Sequence, residues 1–168
     1  FTIAAAAVYE ASKASQSPLV QHRLERELGV TNVSIRNVGK LIRRDLAKKA
    51  RPSVVLRIYH VALDRGGVNA RELESLAGDH MEALKALSCL KELGVISAVG
   101  RRSSFYKLRR KLNKEELEDL LRGAIRELHP SLEDSRLEEY VRTAISALYE
   151  DGELKDLNAS VLKEIGIL

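Results

Sequence analysis

The stretch Pro18 to Leu46, PLVQHRLERELGVTNVSIRNVGKLIRRDL, constrains this chain more than any other. It reads as two short amphipathic helices joined by a tight turn. Val20, Leu24 and Leu28 recur at every fourth position of the first, which gathers three apolar side chains on one face. Pro18 can open that helix, because its missing N–H falls among donors that are unpaired there in any case. Gly29 supplies the left-handed backbone that ends it, and Thr31 stands where it can cap the next helix. Laid on a wheel at about 100° per residue, Thr31 to Leu46 puts Ile35, Val38, Ile42 and Leu46 on one side with Gly39 beside them. The opposite side collects Val33, Arg36, Asn37, Lys40, Arg43 and Arg44. A cationic face carrying a valine and an amide holds the side-chain types that read base edges, thymine methyls and phosphates. Most basic helix faces are simply solvated. A valine at the centre of a polar face has no core to enter, however, and helix-turn-helix units aim such a helix into the major groove.

Thr2 to Ser15, TIAAAAVYEASKAS, predicts a preceding helix of small side chains, buried around its N-terminal turns and closely approached by its neighbours. Residues 1–50 then form one helix-turn-helix unit.

Here the residues carry a family resemblance. AAAAVYEAS at 4–12, a short break and LERELGVTNVSIRN at 24–37 resemble the second cyclin-like repeat of transcription factor IIB and its archaeal counterpart, transcription factor B. In that family an alanine-rich helix precedes a helix-turn-helix that follows the pattern G-V-T-x-V-T-I-R-N. Gly29, Val30, Thr31, Val33, Ser34, Ile35, Arg36 and Asn37 fill those places here, with serine for the second threonine. The resemblance implies a partial cyclin-like unit, the last three helices of a five-helix repeat. It implies promoter DNA read in the major groove just upstream of the TATA box, with the family's valine and arginine contacts falling on Val33 and Arg36. The partners it implies are double-stranded DNA, TATA-binding protein and RNA polymerase. The location it implies is the nucleoid of an archaeal cytoplasm or a eukaryotic nucleus. After Leu46 the chain no longer follows the family's pattern, and the family's first repeat and zinc ribbon are not in it. The start at Phe1, without methionine and inside a running helix, predicts a piece of a longer protein.

Ala47 to Pro52 is a basic joint, and Pro52 marks a boundary. Residues 53–111 predict a winged helix. Val54, Val55, Ile58, Val61 and Ala62 give a first helix ended by Gly66 and Gly67. Asn69 with Glu72, and Asp79 with Glu82, resemble capping boxes opening helices over 70–77 and 80–93. Val95 to Val99 and Phe105 to Leu108 then predict a β-hairpin with Arg101 and Arg102 at its tip and Lys107 on its second strand. Such a wing suits phosphate or minor-groove contact. The helix before it presents Asp79, His80, Glu82, Lys85, Ser88 and Glu92, a mixed face that argues against base reading.

Residues 112–168 predict an acidic helical segment: a helix over Asn113–Leu128 broken by Pro130, a second capped by Ser135 and running up to Gly152, and a short third near Ala159–Ile165. The apolar stripes Leu117, Leu121, Ile125 and Leu137, Val141, Ile145 need cover from the winged helix, from each other or from a second copy.

The charge is split. Residues 1–52 carry a net +6, residues 53–111 a net +5 and residues 112–168 a net −7. The first two would attract a polyanion and the last would be repelled by it. One cysteine, Cys89, gives no internal disulfide and no metal cluster. His22, His60, His80 and His129 lack ligand spacing, no phosphate-binding glycine loop occurs, and no apolar run spans a membrane. The chain therefore reads as mainly α, not an enzyme and without a cofactor. Three functions stay open: a DNA-binding transcription protein of the factor B type, a protein adaptor in a transcription or replication complex, and a gene-specific repressor that dimerises through its C-terminal helices.

Overall fold

The computed structural model describes residues 1–14, 21–100, 104–150, 153–154 and 159–168. The protein is mainly helical with a small antiparallel sheet. Helices α1 (Thr2–Ala14), α2 (Gln21–Leu28) and α3 (Asn32–Lys48) come first. Then follow α4 (Pro52–Arg65), strand β1 (Gly67–Asn69), α5 (Ala70–Ala77), α6 (His80–Glu92), β2 (Ile96–Ala98) and β3 (Phe105–Leu108). Helices α7 (Lys114–Leu128) and α8 (Asp134–Leu148), a two-stranded ribbon of β4 (Tyr149–Glu150) and β5 (Glu153–Leu154), and α9 (Ala159–Ile165) complete the chain.

Two apolar cores organise these elements. The smaller joins Ala5 and Ala6 of α1, Leu24 of α2, Val30 of the turn and Ile35 of α3, with Tyr9, Val38 and Ile42 against it. The larger runs without interruption from Val54 to Ile167. The sequence left three covers open for the acidic segment after residue 111, and the buried residues of that segment share this core with those of residues 54–106. Helix α7 lies along α4, and α8 along α7. Leu117, Leu121, Ile125, Leu137, Val141 and Ile145 are all buried there. Among the described residues these two stripes are covered within the chain.

The expected hairpin is present and gains a third strand. β3 is central, antiparallel to β1 on one side and β2 on the other. Val68 and Ala98 lie opposite Tyr106, which is buried. Gly66 ends α4 with φ +72°, as the sequence predicts, but Gly67 belongs to β1.

Local side-chain caps open α3, α6 and α7. Asp79 accepts the Glu82 N–H at 2.9 Å. Asn113 and Glu116 form a reciprocal capping box at 2.8 and 2.9 Å, the arrangement that satisfies two orphan donors at once. Other expectations are corrected. Asn69 is the N-cap of α5, yet its side chain makes no cap bond and its Oδ1 is buried without a partner. The N-cap of α8 is Glu133 and not Ser135, and that helix stops at Leu148, where the chain turns into β4. Helix α1 buries only one side: Ala5 and Ala6 face α3, while Phe1, Ile3 and Val8 are exposed. Among the described residues no helix is long and apolar enough to cross a membrane.

Candidate nucleic-acid interface

The turn before α3 is built from the chemistry its sequence predicts. Gly29 adopts φ +64°. Thr31 sits in extended backbone and accepts the Ser34 N–H at 3.2 Å, while its hydroxyl donates to Ser34 Oγ at 2.9 Å. Glu25 of α2 reaches across the turn to accept both the backbone N–H of Asn32, at 3.3 Å, and its side-chain amide, at 2.5 Å. Arg36 Nε donates to Gln21 Oε1 at 3.3 Å. The start of α3 is thus tied to α2 by three hydrogen bonds from two residues, Asn32 and Arg36, which fixes how its outer face is presented. Leu28, which its spacing puts on the apolar face with Leu24, is exposed, and Val20 and Pro18 lie outside the described residues.

That outer face is open to solvent. Val33 is 64% exposed, and Arg36, Asn37, Lys40 and Arg44 are exposed beside it. Ile35 and Gly39 are buried on the opposite side. The wheel also placed Arg43 among the outward cations, and here the fold differs. The Arg43 guanidinium turns toward α1 and pairs with Glu10 at 2.5 Å, its side chain only 23% exposed. The angular reason is visible in the sequence: Arg43 follows Gly39 by one turn, on the border between the two faces. Sequence reasoning missed Glu10 altogether, although it is the one acidic residue of an otherwise apolar and small-residue helix. Leu41, 63% exposed at the edge of the outer face, was missed as well.

Helix α6 is not free on its outer side. It lies against α3, and Arg44 of α3 approaches Glu92 of α6 at 3.8 Å. Both side chains of that pair are well exposed, so it holds Arg44 only weakly. An open cleft of about 250 Å³ lies where α1, α3 and α6 meet, lined by Ala7, Ile42, Leu46 and Met81 and by Glu10 and Arg43.

The sheet contributes Lys107, exposed on the outer face of β3. Arg101 and Arg102 at the expected wing tip lie outside the described residues. The cations that follow β3 are engaged within the chain. Arg109 donates to Ser97 Oγ at 2.5 Å, and Arg110 grips Glu116 at 2.6 and 2.7 Å and bonds the Leu93 carbonyl. The Arg110 guanidinium holds the Glu116 carboxyl below the usual carboxylate range. Lys91 lies 4.6 Å from the centre of the Tyr106 ring.

Among the described residues no group of three His, Cys, Asp or Glu side chains could hold a metal ion. Burial pushes the Cys89 thiol up, away from the range of a reactive thiolate. No family model matches the chain, and no curated protein or solved structure matches it either.

Proposed function

We propose that this chain is a DNA-binding transcription protein, of the type of transcription factor B, that lays the N-terminal half of α3 in a major groove. One observation carries the reading: Val33 stands exposed between Arg36, Asn37 and Lys40 on the first turns of a capped helix held from below by α2. In that pose Val33 meets a thymine methyl or similar edge, Arg36 bonds a base acceptor, Asn37 and Lys40 add base or phosphate contacts, and Arg44 takes a phosphate. The helix–strand–helix–helix–strand–strand order of residues 52–108 supports reading them as a winged helix. With α6 against α3, this unit would meet the duplex through its strands and wing, by way of Lys107, Arg101 and Arg102. TATA-binding protein and RNA polymerase remain the protein partners that the resemblance in residues 4–37 implies.

The test is fluorescence anisotropy on two duplexes, one selected from a randomised pool by the wild-type chain and one of random sequence, over a salt series. Arg36→Ala should cost about 1–3 kcal/mol on the selected duplex and relax preference at one position. Equal loss on both duplexes would make Arg36 a phosphate contact, and no binding at low salt would overturn the reading.

A protein adaptor is the second reading. The observation that favours it is that α6 is already covered by protein, while exposed Glu115, Asp119 and Glu139 give α7 and α8 an acidic outer surface. The same titration separates the two, because an adaptor of this kind shows no salt-dependent affinity for duplexes.

A further inference from the structure

We propose that Glu10 is a positioning residue for the DNA-reading helix, clamping α3 to α1 through Arg43 and withholding Arg43 from phosphate. The inference deepens the DNA-binding reading above and rests on it.

Three residues make the clamp. Glu10 is the only acidic residue of α1, and its side chain is 8% exposed. Its Oε1 lies 2.5 Å from Arg43 Nη1. Gly39, one helical turn before Arg43, supplies the room: a Cβ there would stand 2.6 Å from the same Oε1 and 3.3 Å from the carboxylate carbon. The carboxylate therefore rests close to the bare backbone of α3, and a side chain at 39 would push its end aside.

With Glu10 buried and Arg43 partly exposed, the pair gains little net stability, because the cost of taking the carboxylate out of water offsets the attraction. What it does supply is register. On the α1 side the apolar contact rests on Ala5 and Ala6, with Tyr9 beside them, against Ile35, Val38 and Ile42 of α3, and the two alanines by themselves tolerate sliding. A directional bond to Arg43 does not. Because Val33, Arg36 and Lys40 share the rigid helix with Arg43, the clamp sets how that face projects.

The pairing also predicts an electrostatic signature. Arg43 is neutralised within the chain, so it releases no counterions from DNA, whereas the exposed Lys40 does. Glu10→Gln, which keeps the shape and removes the charge, frees Arg43. It should steepen the slope of log K against log salt by about one and tighten binding to the random duplex. At the same time the ratio of selected to random affinity should fall roughly tenfold, the scale of one lost coupling. Arg43→Gln should leave the slope unchanged, and Lys40→Gln should flatten it by about one. A merely structural defect would instead weaken both duplexes together.

The experiment combines those salt series with thermal unfolding of Glu10→Gln, Arg43→Gln and the double variant without DNA. The clamp is supported if the double variant loses less than the sum of the singles and the slopes follow the order given. It is overturned if the singles add, if Arg43→Gln flattens the slope as Lys40→Gln does, or if Glu10→Gln weakens both duplexes at unchanged slope. Wild-type failure to bind either duplex at low salt would remove the DNA reading and the positioning role with it. The unfolding cycle would still report separately whether Glu10 and Arg43 are coupled.

Discussion

Ser53, in the first turn of α4, gives both its hydroxyl and its backbone N–H to the Glu127 carboxylate of α7, at 2.8 and 3.3 Å. The N-cap of α4 is Arg51, whose side chain makes no cap bond, and Pro52 occupies the first helical position. A carboxylate from 74 residues further along therefore does the work that a local serine or aspartate does elsewhere. It sits at the positive end of the α4 dipole and also takes Arg51 at 2.6 Å. Close packing holds it there, since a Cβ on Gly123 would come within 2.7 Å of the Pro52 ring.

Glu127→Ala should accordingly lower the stability of the chain by about 1.5–3 kcal/mol, the range for hydrogen bonds to a charged group. Glu127→Gln should cost less, because it keeps an acceptor for Ser53. Urea unfolding of the two variants measures both values. Equal losses would place the whole contribution in the charge on Arg51 and the helix end, and none in the cap.

That capping arrangement marks the limit of what the sequence makes legible. Features set by near neighbours can be read from it. Gly29 and Thr31 make the turn before α3, Asp79 opens α6, and the apolar periods of α7 and α8 give their buried sides. Features set by a partner far along the chain cannot. Val68 offers no strand pattern by itself, and β1 exists because Tyr106, 38 positions later, pairs with it. Gly67 is needed in that strand because its Cα lies beneath β3, where a Cβ would meet the Tyr106 carbonyl at 2.5 Å. The wheel gives the direction of Arg43 but not that a carboxylate from α1 waits at that angle. Likewise the stripes of α7 and α8 announce a buried face without saying that α4 lies along α7 and α7 along α8. Of the outward residues of α3, four of the five cations and amides read from the wheel stay exposed, and the fifth is the one beside Gly39.

Alkaline pH should expose a second long-range tie. Tyr59 of α4 is fully buried, and its Oη accepts the Leu112 N–H at 3.0 Å. Burial pushes its pKa up to about 12, against about 10 for a tyrosine in the unfolded chain. A folded-state pKa above the unfolded one favours the protonated native form. Its contribution is complete below about pH 10 and is lost as pH rises toward about 12, at up to about 1.4 kcal/mol per pH unit for one proton. Burial raises Tyr9, Tyr106 and Tyr149 in the same direction, so the total loss is larger. Tyr59→Phe should cost about 1–3 kcal/mol at neutral pH, because the Leu112 N–H loses its acceptor. It should also reduce the alkaline slope by about one proton. Denaturant unfolding at neutral pH and across the alkaline range tests both, and an unchanged slope would count against Tyr59 as the titrating group.

Val33 offers the cleanest separation of folding from recognition. With 64% of it exposed, it contributes little to the core. Val33→Ala should therefore change stability by no more than about 0.5 kcal/mol, the usual range for a surface site. On a selected duplex the same change removes two carbons from a contact with a base methyl. At about 0.8 kcal/mol per buried carbon the loss should be about 1–2 kcal/mol, with preference relaxed at one base pair. A random duplex should show no loss, since a valine makes no phosphate contact, and the salt slope should stay as it is. Parallel unfolding and anisotropy titrations measure these quantities on the same sample. A stability loss equal to the binding loss would mean that Val33 supports α3 and does not read DNA. Unchanged affinity for the selected duplex would remove Val33 from the interface.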